Sequence, residues 1–133
     1  MKTLTRINIL VLILLFLSVG ISLGQNIDER FIASKGVEYA TQGKFKEARE
    51  EFNKTWWIAQ PYGFTRKYLE VIGDVNEGRI QKDTAICFFE GVSHSLKNQF
   101  AEAISKFEMV IETEPKYAIP YISRGVAYYN KNQ

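Results

Sequence analysis

The feature that most constrains this chain is a spacing pattern of small and apolar residues that occurs twice. The stretches "GKFKEAREEF" (residues 43–52) and "NQFAEAISKF" (residues 98–107) each place Phe, Ala and Phe at steps of three and four residues. Such steps put the three side chains on one face of a helix. Six positions match in all, at offsets of 0, 3, 7, 9, 12 and 16: Gly36, Tyr39, Gly43, Phe45, Ala48 and Phe52 in the first copy, and Gly91, His94, Asn98, Phe100, Ala103 and Phe107 in the second.

A third start of the same pattern follows the second copy. Gly125 lies 34 residues after Gly91, Tyr128 keeps the next offset, and Asn132 occupies the turn position. With this period, the pattern resembles the tetratricopeptide repeat, a helix–turn–helix unit of 34 residues. Gly36 and Gly91 are 55 residues apart, which leaves roughly 21 residues inserted between the first two copies.

The resemblance implies an all-α fold, a right-handed superhelix (α-solenoid) of helix–turn–helix repeats with one extra helix inserted. Independently, no stretch shows a sustained alternation of period two, which favours helices throughout. We predict one domain over residues 25–133. It divides into repeat 1 at residues 29–61, an insert at residues 62–83 with one extra helix, repeat 2 at residues 84–117, and the first helix of an incomplete repeat 3 at residues 118–133.

The resemblance also implies how the repeat residues pack. Small residues let the two helices of a pair approach closely, large rings fill the space between helices, and a proline ends the second helix. The residues that carry this signature are Gly36, Tyr39, Phe45, Ala48, Phe52, Gly91, Phe100, Ala103, Phe107, Pro115, Gly125 and Tyr128.

For function, the resemblance implies a partner-binding groove. In this family the concave surface is lined by the first helix of each repeat and usually holds a peptide or a partner segment. The residues expected in the groove are Val37, Phe88, Phe89, Val92, Val126 and Tyr129. The alternative is that the insert or a missing repeat covers these apolar side chains. We therefore expect a scaffold that binds a protein or peptide partner.

The N-terminal segment has a different character from the rest of the chain. Lys2 and Arg6 precede the apolar run "INILVLILLFLSV" (residues 7–19), and small residues follow it. This pattern is typical of a secretory signal peptide, here residues 1–24, and predicts a periplasmic or secreted protein. The alternative is an uncleaved anchor at residues 7–23, near the lower length limit for a spanning helix. The protein would then be an assembly or accessory factor held at the inner membrane.

Residues that could carry chemistry are few. His94 is the single histidine and Cys87 the single cysteine, so the sequence offers neither a metal set nor an intrachain disulfide. We place His94 at a packing position of its helix. Removing the two basic residues of the N-terminal segment leaves 15 basic and 15 acidic residues, without the basic stripe of a nucleic-acid-binding protein. We predict a non-enzyme without cofactor, metal or nucleic-acid partner.

The last helix needs a neighbour. Arrays of repeats are stabilised by interfaces between neighbours and carry polar caps at their ends. Ile122, Val126, Tyr128 and Tyr129 lie on a helix without a following partner helix and are expected to be partly exposed. One interpretation is that the chain is a truncated fragment of a longer repeat protein. The other is a homodimer formed through this uncapped helix.

Overall fold

The structure is a computed structural model that describes residues 33–55 and 64–133. Within these residues every regular element is a helix and none is a strand, which confirms the prediction of an all-α fold. The predictions for residues 1–24, including the signal peptide and the anchor, lie outside the described residues. The helices are α1, whose described part is residues 33–41, α2 (Phe45–Thr55), α3 (Phe64–Asn76), α4 (Lys82–Leu96), α5 (Phe100–Thr113) and α6 (Ala118–Lys131).

The turns inside the two copies of the pattern have the same geometry. Gly43 has φ 70° and Asn98 has φ 59°, both in the left-handed region. Glycine enters this region freely, and asparagine is among the residues that tolerate it best. In each turn the N–H that follows bonds back to a carbonyl five residues earlier, at 3.0 Å to Tyr39 and at 2.9 Å to His94. The turn between α1 and α2 and the turn between α4 and α5 therefore have the same backbone conformation and hydrogen bond.

The two helix pairs also share a close approach of a ring to a glycine. A methyl group placed on Gly91 would lie 2.7 Å from Cε1 of Phe107, and one on Gly36 would lie 2.6 Å from Cδ1 of Phe52. Carbon atoms in contact need about 3.5 Å. Each phenylalanine ring therefore occupies the space that any larger residue than glycine would take.

Helix α3 comes from the segment between the two copies and lies at the centre of the core. Its Tyr68 ring is 5.4 Å from the ring of Phe52, 6.4 Å from that of Phe88 and 6.0 Å from that of Phe89, centroid to centroid. Rings at these separations gain both area burial and a favourable edge or offset geometry. Tyr68 thus joins the first helix pair to the second.

A buried carboxylate ties α3 to the start of α6. Asp74 is 5% exposed, accepts a hydrogen bond of 2.6 Å from the Tyr117 hydroxyl, and pairs with Arg79 at 2.5 Å. A buried charge is costly unless it is paired and hydrogen-bonded, and here both conditions are met. Burial, together with the bond to Asp74, raises the pKa of Tyr117. The contact spans 43 residues of sequence and fixes the insert against the loop before the last helix.

Candidate interaction surface

Four of the six residues expected in a partner groove are buried in the core, so their assignment to an open groove is wrong. Val37 and Phe88 are each 1% exposed, Phe89 is fully buried, and Val92 is 3% exposed. For Phe88 and Phe89 part of the physical reason is the inserted helix, because Tyr68 of α3 packs on both phenylalanine rings. The alternative drawn from the sequence, that the insert covers the groove residues, agrees with the surroundings of these two.

The remaining two expected groove residues are accessible and lie on α6. Val126 is half-buried, and Tyr129 is 67% exposed. Ile122 on the same helix is 45% exposed and Tyr128 is 44% exposed, as expected from the sequence. The open apolar surface is therefore concentrated on the last helix.

Five residues of α6 form a continuous exposed stripe, which we call the tyrosine face. At 100° per residue they span about 120° of the helix circumference, with the glycine in the middle. Its members are Tyr121, Ile122, Gly125, Tyr128 and Tyr129. Contiguous apolar patches of this kind on a soluble domain commonly mark binding sites.

Gly125 at the centre of this face differs from its two counterparts in the pattern. A methyl group placed on it would meet no described atom within 4 Å, whereas those on Gly36 and Gly91 would each strike a phenylalanine ring. The space beside this glycine is therefore filled by a phenylalanine ring in α1 and α4, and it is open in α6 within the described part of the chain.

A charged residue directly precedes each of the three glycines, a regularity that was not predicted from the sequence. Lys35 Nζ lies 3.4 Å from Glu51 Oε1, and Lys106 Nζ lies 2.6 Å from Glu90 Oε2. In both pairs the partner residue directly precedes the phenylalanine that packs on the glycine, so each charge pair repeats the offset of 16. The sequence contains a signal for these ion pairs. Residues of opposite charge, 16 positions apart, stand directly before the glycine and the phenylalanine of each copy. In α6 the corresponding residue is Arg124.

The electrostatics of the two ion pairs follow from their geometry. The hydrogen bond from Lys54, with the nearby Lys35 ammonium, holds the pKa of Glu51 below its ordinary value of 4.5. The hydrogen bond to Glu90 raises the pKa of Lys106. Arg124 has a weaker set of contacts, with Glu108 at 3.9 Å and the ring of Tyr121 at 5.6 Å. Its guanidinium is thus held between Glu108 of α5 and the Tyr121 ring of its own helix.

The repeat-signature residues fall into three groups by burial. The buried ones are Gly36, Phe45, Ala48, Phe52, Gly91, Ala103 and Phe107, the half-buried ones are Tyr39 and Phe100, and the exposed ones are Pro115, Gly125 and Tyr128.

The residues that could carry chemistry are His94 and Cys87. His94 is half-buried at the end of α4, where its Nδ1 lies 2.9 Å from Oε1 of Gln99. The half-buried Cys87 thiol lies 3.6 Å from the carbonyl oxygen of Lys106, and burial raises its pKa. Within residues 33–55 and 64–133, no three His, Cys, Asp and Glu side chains are grouped to hold a metal ion.

Comparisons with known proteins add no assignment. No family model matches this chain, and neither a curated protein nor a solved structure is significantly similar to it. Within the part of the chain that the structure describes, none of the helices has the length and apolar character needed to cross a bilayer.

Proposed function

We propose that this chain is a non-catalytic scaffold of the tetratricopeptide-repeat type, exported from the cytoplasm, that binds a protein or peptide partner. The observation that carries the proposal is the tyrosine face, where Ile122, Tyr128 and Tyr129 are each more than 40% exposed. Tyrosine supplies a large contact area at low entropic cost and is enriched at binding hot spots.

The repeat assignment is supported by the matched geometry of the two helix pairs. Each has a left-handed turn at the same offset and a phenylalanine ring against the same glycine. In the proposed solenoid, α1 and α2 form one repeat, α4 and α5 the next, and α6 begins a third. Because Phe88 and Phe89 are buried in the core, the binding surface in this proposal is on α6 and not beside these two residues.

Affinity capture with matched variants tests the proposal. We expect the chain beginning at Gln25 to retain a partner from an extract of the source organism, and Tyr129→Asp to lose it. Met109→Asp on α5 is the control, because Met109 is 50% exposed and the change adds the same charge. Equal capture by the chain and both variants, or no stoichiometric partner at all, would exclude binding through this face.

Export is tested separately by the N-terminus of the protein isolated from cells. A first residue of Gln25 supports the cleaved signal peptide. Retention of Met1 in a membrane fraction would instead support the anchored accessory factor.

A further inference from the structure

We draw no further inference here: the strongest candidate, the exposed apolar face of α6 around Gly125, carries nothing beyond the proposed function, because nothing in the structure shows what covers it.

Discussion

Replacing glycine by alanine tests whether phenylalanine rings pack against the glycines, because the same substitution should change stability in opposite directions at Gly91 and Gly125. At Gly91 the added methyl group would lie 2.7 Å from Phe107 Cε1 and 2.9 Å from its Cδ1. A carbon contact needs about 3.5 Å, so the ring must move by about 0.8 Å. Phe107 is 1% exposed and its ring lies 5.6 Å from that of Phe88, so the movement has to be accommodated within the core.

The expected magnitudes follow from two opposing terms. Overpacking of a filled core costs about 1–3 kcal/mol. Replacing glycine by alanine within a helix returns about 1 kcal/mol. Gly91→Ala should therefore lower the free energy of unfolding by up to about 2 kcal/mol. For Gly125→Ala only the gain in helix propensity applies, so the free energy of unfolding should rise by up to about 1 kcal/mol.

Urea denaturation followed by circular dichroism measures both changes. For a domain of about 100 residues, each kcal/mol shifts the melting temperature by about 4–8 °C, so thermal melts should separate the two variants by roughly 10 °C. Gly73→Ala should behave as Gly125→Ala does. If Gly91→Ala stabilises the protein as much as Gly125→Ala, the account of ring packing against glycine is refuted.

Three further predictions concern single contacts. Tyr117→Phe removes the hydrogen bond to buried Asp74 and should lower the free energy of unfolding by about 1.5–3 kcal/mol in urea titrations, and an unchanged midpoint would contradict this role. Because the pKa of Glu51 lies below 4.5 in the folded protein, its stabilising contribution is present above about that pH and is lost as pH falls through the folded pKa. The stability difference between the chain and Glu51→Gln should accordingly shrink in melts taken below pH 4.5, and a difference that persists at pH 2 would refute the assignment to the ion pair with Lys54. Cys87, half-buried with a raised pKa, should react with a thiol reagent more slowly at pH 8 than it does in urea, and equal rates would contradict its burial.

Much of the helical architecture follows from the sequence because it depends on local spacing. Residues 64–76 show apolar side chains at helical intervals, and α3 occupies Phe64–Asn76. The repeated offsets predicted that equivalent residues of the two copies would pack alike, but not that the rings of Phe52 and Phe107 would lie on Gly36 and Gly91. Periodicity therefore predicted the helices, and the structure supplied the pairs of residues that touch.

The position of the insert did not follow from the sequence. Spacing shows that Phe88 and Phe89 are apolar positions on a helix, but it does not show which helix covers them. That depends on long-range contacts such as the hydrogen bond from the Tyr117 hydroxyl to Asp74, 43 residues away in sequence. Long-range contacts of this kind leave no periodic signal, so the groove assignment failed where the insert packs.

The reversal of charge between the two ion pairs bears on how the helices select each other during folding. If α2 docked on α4, Glu51 would meet Glu90, and if α5 docked on α1, Lys106 would meet Lys35. Both exchanged pairings place like charges together, although the glycines and phenylalanines would fit equally well. The opposite signs of the two ion pairs thus disfavour an exchange of the second helices between two similarly patterned helix pairs.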